Sequence, residues 1–320
     1  MPALTGTPQD GLEGSAIEQA PPPRTLPDPW IYLAIVFGLY VVLGSVAQQR
    51  QLPLGLWLSQ YGFFFLPTII LLWTRGFRPW RFLSLDRLPP TRQLPLVLVI
   101  SCLTFVAAGA LMAVFEMLAP EGWADRFDVS HVLDSVSGPW RSVLFAAVIV
   151  GAPVAEETVF RGVLFPALRQ RIGLRRALFA QAALFSLIHL DPVGFVPRFL
   201  LGVVLGELVL FTGSLWASIF AHALNNGVSS LLYFSLGPGP QAQVGTTDLT
   251  FAASLAAGGA VLVFALMALL RVRAVNDQLP QLTPENFRPP PSPQHAKAVA
   301  WLWLALCLLC LWGIQVLPAQ

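Results

Sequence analysis

The sequence contains E-E-T-V-F-R at 156–161, F-S-L-I-H at 185–189 and H-A-L-N-N at 222–226, three polar motifs inside segments that are otherwise apolar. An ionisable side chain in the hydrocarbon core of a bilayer costs folding free energy, so it persists where it faces a partner or a cavity. Several such side chains in one stretch predict a functional site between helices. The rest of the chain is expected to be the scaffold of that site.

The composition excludes an ordinary soluble domain. Of 320 residues, 55% are hydrophobic and 11% are charged, and the mean hydropathy is +0.66. These values are typical of membrane proteins. The formal net charge of +2 is too small to indicate a nucleic-acid partner. We therefore predict an all-α fold, a polytopic transmembrane helical bundle.

Apolar segments recur along the chain near the length of about 20 residues that a bilayer core requires. They predict about eight to nine membrane spans, at 30–47, 56–73, 94–118, 142–168, 177–190, 199–213, 215–235, 250–270 and 298–317. Two of these segments, 177–190 and 199–213, are short. They form either two full crossings or a partly embedded hairpin.

The chain divides at changes in composition. The first segment, 1–29, is rich in Pro, Gly, Gln and acids without a signal-peptide pattern, which predicts a disordered cytoplasmic tail. The expected parts that follow are N-terminal transmembrane helices and loops at 30–141, a core with the three motifs at 142–235, an additional transmembrane helix at 236–274, a Pro-rich linker at 275–297 and a C-terminal transmembrane helix at 298–320.

Positive residues beside short loops predict the orientation in the membrane. The loop after the second span holds five arginines and is expected to be cytoplasmic: Arg75, Arg78, Arg81, Arg87 and Arg92. Counting crossings from this loop places the N-terminus in the cytoplasm. It also places four arginines inside and four acids outside: Arg169, Arg171, Arg175 and Arg176, then Glu121, Asp125, Asp128 and Asp134. We expect an integral protein of a bacterial inner (plasma) membrane.

The adjacent carboxylates of Glu156 and Glu157 have different predicted roles. Glu157 and Arg161 are four residues apart, so on a helix they share a face and can form an ion pair. Glu156 is displaced by about 100° around the helix from Glu157 and cannot use that arginine as easily. The spacing therefore predicts a structural pair of Glu157 with Arg161 and a carboxylate at Glu156 that is free to react.

Two later pairs repeat the four-residue spacing, Phe185 with His189 and His222 with Asn226. Measured from the expected cytoplasmic ends of their spans, Glu156 and His189 lie roughly 18 Å deep, Asn226 roughly 17 Å and His222 roughly 11 Å. A carboxylate beside a histidine can hold and deprotonate a water, and a second histidine with an amide can stabilise an oxyanion. Each residue alone is equally consistent with a hydrogen bond between helices. Their similar depth favours a site.

In order and spacing, the three motifs resemble those of the CAAX prenyl protease and bacteriocin-processing family (CPBP, also called Abi) of intramembrane glutamic endopeptidases. The resemblance covers residues 142–235 and includes T-G-S-L-W at 212–216. It implies a catalytic protease core at 142–235 that needs no obligatory metal or other cofactor. Carried over by motif position, Glu156 would be the general base, acting with His189 to activate water. His222 and Asn226 would form the oxyanion hole.

The resemblance also implies supporting residues and a substrate class. Glu157 and Arg161 match positions of structural support, and Phe185 would line the substrate cavity. The substrate would be a membrane-embedded or lipid-anchored peptide that enters from the bilayer, with the prenylated CAAX type as one candidate. Glu207 is an unexpected charge in its span. It lines the cavity, reaches the cytoplasmic side or pairs with Arg198, and the sequence leaves these three choices open.

Three alternative functions stay open on the residues alone. Glu156, His189 and His222 would supply the carboxylate and two histidines of a catalytic zinc site, although the sequence has no H-E-x-x-H motif. Acids and histidines at the midplane also suit an ion-coupled transporter. A catalytically silent adaptor or immunity protein that keeps the fold is the third.

Overall fold

The computed structural model describes residues 25–127, 133–236, 246–273 and 286–316. These residues are mainly helical, and the only β pairing among them is an isolated bridge between Phe77 and Phe287. The predicted all-α class is confirmed. In chain order the helices are α1 (Pro29–Arg50), α2 (Leu52–Thr74), α3 (Pro79–Phe82), α4 (Leu94–Leu118, after a 3₁₀ turn at Thr91–Gln93), α5 (Trp123–Arg126), α6 (Pro139–Ile172), α7 (Leu174–Leu187), α8 (Phe195–Thr212), α9 (Leu215–Leu236), α10 (Thr246–Arg273) and α11 (Pro293–Val316).

Within the described ranges, seven helices are long and apolar enough to cross a membrane: α1, α2, α4, α6, α8, α10 and α11. Helix α9 has 22 residues, but its histidine, asparagines and serines make it less apolar. Helix α7 has only 14 residues. At about 1.5 Å per residue it is shorter than a hydrocarbon core of about 30 Å. Its length argues against a full crossing by α7, whereas α8 is long enough to cross, so the choice between two crossings and a partly embedded hairpin stays open.

Two of the helices that meet at the site contain π-helical segments, at Leu58–Phe65 in α2 and at Ala147–Gly151 and Thr158–Leu164 in α6. A π turn contains an extra residue, disturbs the regular hydrogen-bond ladder and often occurs at functional sites. Pro153 follows the first segment of α6 and has no N–H to donate, which loosens the ladder there. The α-helical stretch between the two segments of α6, Ala152–Glu157, carries both glutamates of the first motif.

Helices α7 and α8 pack closely because α8 has two glycines on the facing side. A Cβ atom on Gly202 would lie 3.0 Å from the Cα of Ala182. A Cβ atom on Gly206 would lie 2.6 Å from Leu178 Cδ1. This is the close approach that a small-x-x-x-small pattern allows. It brings the backbone of α8 within reach of side chains from α6 and α7.

Contacts between helix ends agree with the predicted topology. Asp28, just before α1, forms an ion pair with Arg171 near the end of α6, at 2.5 Å. Arg78, after α2, donates a hydrogen bond of 3.1 Å to the carbonyl of Phe287, before α11. The start of α1 and the end of α6 therefore lie on one side, as the crossing count requires. The compartment on that side stays a prediction.

Some predicted segments fall wholly or partly outside the described residues. These are 1–24 of the tail, Asp128 in the acidic loop, 237–245 and 274 of the additional helix, 275–285 of the linker and 317–320 of the last helix. The last helix begins at Pro293. Cys102, Cys307 and Cys310 are free thiols.

Candidate active site

Glu157 is a fully buried carboxylate with two charged or polar partners. Its Oε1 accepts a hydrogen bond of 2.8 Å from Arg161 Nη1 and one of 2.9 Å from His222 Nδ1. Glu157 and Arg161 are both 0% exposed and His222 is 4% exposed. The ion pair expected from the four-residue spacing is therefore present. His222 is an additional partner of Glu157 that the spacing did not indicate.

Arg161 connects three helices. Besides Glu157 on its own helix, its Nη2 donates a hydrogen bond of 3.0 Å to the carbonyl of Gly202 on α8. Gln181 Nε2, on α7, donates to the same carbonyl at 3.0 Å. The guanidinium carbon also lies 4.3 Å from the centre of the Phe185 ring, a cation–π contact. These contacts fix the arginine on the side of α6 where Glu157 lies.

Glu156 has a different environment from its neighbour. Its side chain is buried, and its Oε1 accepts a hydrogen bond of 3.0 Å from Gln60 Nε2 on α2. Its Oε2 is 3.9 Å from His222 Nε2, which is longer than a hydrogen bond. In the described part of the chain, no arginine or lysine pairs with this carboxylate. Glu156 is thus separate from the Arg161 ion pair, as its position on the helix predicted.

His222 lies between the two glutamates. Because a carboxylate only accepts, the bond to Glu157 requires a hydrogen on Nδ1 of the imidazole. The other ring nitrogen, Nε2, is directed toward Glu156. That nitrogen carries a lone pair in the neutral ring and an N–H in the imidazolium. Glu157 therefore orients the histidine. The protonation of the ring determines whether Nε2 accepts or donates a hydrogen bond.

His189 follows the end of α7 and its side chain is exposed. Its Nδ1 is 2.9 Å from the carbonyl oxygen of Phe185, and its ring packs edge-on against the Phe185 ring at 5.4 Å. The Phe185 ring also contacts the His222 ring, at 5.6 Å between centroids. The described residues include no hydrogen bond between His189 and Glu156. The two histidines are instead related through the phenylalanine that both contact.

Asn226 joins α9 to α6. Its Nδ2 donates a hydrogen bond of 2.9 Å to the carbonyl of Val148, which lies in the π segment Ala147–Gly151. Its Oδ1 accepts a longer bond of 3.4 Å from Asn225 Nδ2. An amide has two hydrogens on its nitrogen. One of those of Asn226 is used by Val148, and no described hydrogen bond uses the second.

Residues 138–228 match the family model described as type II CAAX prenyl endopeptidase Rce1-like. The matched segment, called the Rce1-like domain below for this similarity, covers less than a third of the chain. It begins at the start of α6, ends in α9 and contains all three motifs, so the resemblance inferred from the motifs is confirmed. The match supports an intramembrane protease of the CAAX type in general. Comparisons with curated proteins and with solved structures gave no significant match.

A cavity of about 480 Å³ lies at one edge of the Rce1-like domain, beside the turn between α7 and α8. It is lined by Ser186, Leu187, Leu190, Asp191, Pro192 and Phe195. His189 lies within this turn. Asp191 forms an ion pair with Arg198 and accepts hydrogen bonds from the next backbone amides. Irregular backbone at membrane depth is tolerated where it lines a cavity, and this turn lines one.

Two further expectations concern metal binding and Glu207. Among the described residues, no group of three or more His, Cys, Asp or Glu side chains is arranged to hold a metal ion. A chelation experiment tests whether the activity depends on zinc. Glu207 is buried in α8 and has an interaction partner. Arg198, one of the partners predicted for Glu207, forms an ion pair with Asp191.

Gln60 is the site residue that sequence reasoning missed. It belongs to α2, outside the Rce1-like domain, and is separated from Glu156 by 96 positions. No periodicity connects residues so distant. The available signal was the uncharged amide itself, in the L-S-Q-Y-G segment at 58–62 of an otherwise apolar span.

Proposed function

We propose that the protein is an intramembrane endopeptidase that hydrolyses a peptide bond with a water activated by Glu156. The observation that carries this proposal is the buried cluster of Glu156, His222, Glu157 and Arg161 within the Rce1-like domain. Burying four ionisable groups is costly unless they are paired or used. Glu157 and Arg161 are paired. Glu156 is held by one neutral amide, which leaves its second oxygen for chemistry.

The reaction would begin with a water bound by Glu156. A water oxygen about 2.8 Å from both Glu156 Oε2 and His222 Nε2 is compatible with the 3.9 Å between those atoms. Glu156 would take one proton while the water oxygen bonds to the carbonyl carbon of the scissile peptide. The product of this step is a tetrahedral oxyanion. When the C–N bond breaks, Glu156 would return the proton to the leaving amine.

We assign the oxyanion hole to Asn226 and His222. Asn226 would donate its second amide hydrogen, and His222 would donate from Nε2 as an imidazolium. The charges of the cluster are consistent with this form of the ring. Two ionised glutamates and Arg161 leave one negative charge, which a protonated His222 would neutralise. We assign His189, which shares the Phe185 contact with His222, to hold the same water from the edge of the site.

The proposed substrate is the tail of a membrane-embedded or lipid-anchored peptide that enters from the bilayer. The description of the matched domain makes prenylated C-terminal tails the first class to test. Phe185 would contribute to the wall of the cavity that receives the tail, since its ring borders both histidines. A bacterial inner membrane with a cytoplasmic N-terminus completes the proposal.

The test compares purified wild type with Glu156→Gln and His189→Ala in proteoliposomes. The substrate is a pool of C-terminal membrane peptides with and without prenyl groups, and products are read by mass. Loss of a positioned general base costs about 10²–10⁴ in rate, so we expect Glu156→Gln to lose at least about 100-fold. Glu121→Gln, at an exposed position, is the matched control. Wild-type turnover by folded Glu156→Gln would refute the proposed base.

The same preparation separates the alternatives. We expect a chelator to leave product formation unchanged, whereas loss that zinc restores would establish the zinc enzyme. Ion flux across sealed vesicles without peptide products would indicate a transporter. Folded wild type that cleaves none of the peptides and carries no flux would favour the silent adaptor.

A further inference from the structure

Helix α2 contributes a residue to the site although it lies outside the Rce1-like domain. Gln60 is 2% exposed and its Nε2 donates to Glu156 Oε1 at 3.0 Å. It occupies the π segment Leu58–Phe65. The preceding residue, Ser59, has local partners instead, because it donates to the carbonyl of Gly55 and accepts from Gln48. Gln60 is therefore the member of this polar group that contacts a glutamate of the first motif.

The second atom of the same amide is also informative. Gln60 Oε1 is buried and has no hydrogen-bond partner in the described part of the chain. A buried polar atom without a partner costs about 1–3 kcal/mol. Leucine or methionine at this position would avoid that cost, so packing alone does not explain the glutamine. Since Oε1 and Nε2 belong to one planar amide, this acceptor lies beside the Glu156 carboxylate.

We propose that Gln60 is a positioning residue of the peptidase, an inference that rests on the proposed function of Glu156. Its N–H holds Oε1 of the carboxylate, so that Oε2 faces His222 Nε2. Its own Oε1 accepts a hydrogen bond from the water that Glu156 deprotonates. One amide thus selects which oxygen of Glu156 acts as the base, and it orients the water that attacks the scissile carbonyl.

The neighbouring cations give this selection its physical importance. His222 Nε2 is 3.9 Å from Glu156 Oε2, and Arg161 lies on the next turn of the same helix. A carboxylate without a fixed contact could displace the water, close the 3.9 Å gap to a protonated His222 or turn toward Arg161, and form a direct ion pair. An ion-paired carboxylate is a weaker base and no longer faces the water. The bond from the α2 amide opposes that rotation.

The test replaces Gln60 by methionine, which keeps the length of the side chain and removes both amide groups. Gln51→Met is the matched control, because Gln51 is a buried glutamine of the same region whose Oε1 caps α2 through Leu54 N. A misplaced reacting group can cost about 100-fold, so we expect Gln60→Met to lower kcat by about that factor. We expect KM to change less than twofold. Gln51→Met should lower stability and leave kcat unchanged.

A second readout does not depend on a substrate. Infrared difference spectra of wild type minus Glu156→Gln identify the carboxylate stretching band of Glu156. This band should shift in Gln60→Met and stay in place in Gln51→Met, because only Gln60 bonds that carboxylate. An unchanged band in Gln60→Met overturns the inference whatever the activity.

The outcomes separate this inference from the proposed function. A shifted band with unchanged kcat overturns the positioning role, while activity that is lost in Glu156→Gln upholds the peptidase. Wild type that cleaves no peptide refutes the peptidase and with it the role of Gln60 in catalysis. Both proposals are supported by a shifted band together with a loss confined to kcat.

Discussion

Replacement of Arg161 by alanine should destabilise the protein as well as inactivate it. The guanidinium is 0% exposed and contacts Glu157 at 2.8 Å, the Gly202 carbonyl at 3.0 Å and the Phe185 ring at 4.3 Å. Its removal leaves the Glu157 carboxylate buried with a histidine as its remaining partner. The free energy of unfolding should therefore fall mainly through an uncompensated buried charge.

The contacts give the magnitude of this loss. Removing one partner of a buried ion pair costs about 3–5 kcal/mol. The lower end applies here, because Glu157 keeps its hydrogen bond from His222 and the Gly202 carbonyl keeps the one from Gln181. The lost cation–π contact adds about 1 kcal/mol. We expect Arg161→Ala to lower the free energy of unfolding by about 4 kcal/mol.

Unfolding in mixed detergent micelles, followed by tryptophan fluorescence, measures this change. Arg176→Ala, at an exposed arginine, should change the same free energy by less than about 0.5 kcal/mol. A double-mutant cycle with Glu157→Gln isolates the pair. The reasoning is refuted if Arg161→Ala costs less than about 1 kcal/mol, or if the two substitutions are additive within about 0.5 kcal/mol.

Two further predictions concern a proposed oxyanion donor and a helix cap. Asn226→Ala should reduce turnover by about 10²–10³ and stability by only about 1 kcal/mol through the lost Val148 bond. Ser229→Ala, at an exposed position of the same helix, is the control. Parallel loss of folding and activity would make Asn226 structural. The pKa of the Asp28 carboxyl lies below its ordinary value of 3.8, mainly because it accepts a hydrogen bond from the Ile31 amide. Burial raises this pKa by a smaller amount, and the Trp30 amide and Arg171 lower it further. This cap is therefore fully present above the ordinary pKa and is lost as the pH falls through the lowered one; hydrogen exchange at Trp30 and Ile31 should show that loss relative to Asp28→Asn, and identical pH dependence in both proteins would contradict it.

Contacts between side chains four residues apart were predictable from the sequence. The four-residue spacing indicated the Glu157–Arg161 pair and the contact of Phe185 with His189, and both are present. The apolar pattern located the helices, since hydropathy responds to the bilayer and not to the partners of a helix. The close approach at Gly202 likewise depends on a local property, because glycine has no side chain where α7 and α8 cross.

Contacts between distant helices were not predictable in this way. The bond of His222 to Glu157 depends on how α9 packs against α6, which spacing along either helix does not encode. The bond of Asn226 to Val148 depends on a π segment that leaves no periodic signal. Helical rise predicted similar depths for these side chains, yet depth does not determine which atoms meet. His189 illustrates the limit, because α7 ends before it and the ring lies in a turn.

The anchor of Arg161 on Gly202 has an evolutionary consequence. The acceptor is a backbone carbonyl, which every amino acid supplies, so no point substitution at position 202 can delete the group itself. What a substitution can change is the space, since a Cβ there would lie 3.0 Å from the Cα of Ala182. Substitutions elsewhere in α8 therefore leave the acceptor of Arg161 in place. The requirement at position 202 is therefore one of size, since glycine is the smallest residue and α7 and α8 cross there.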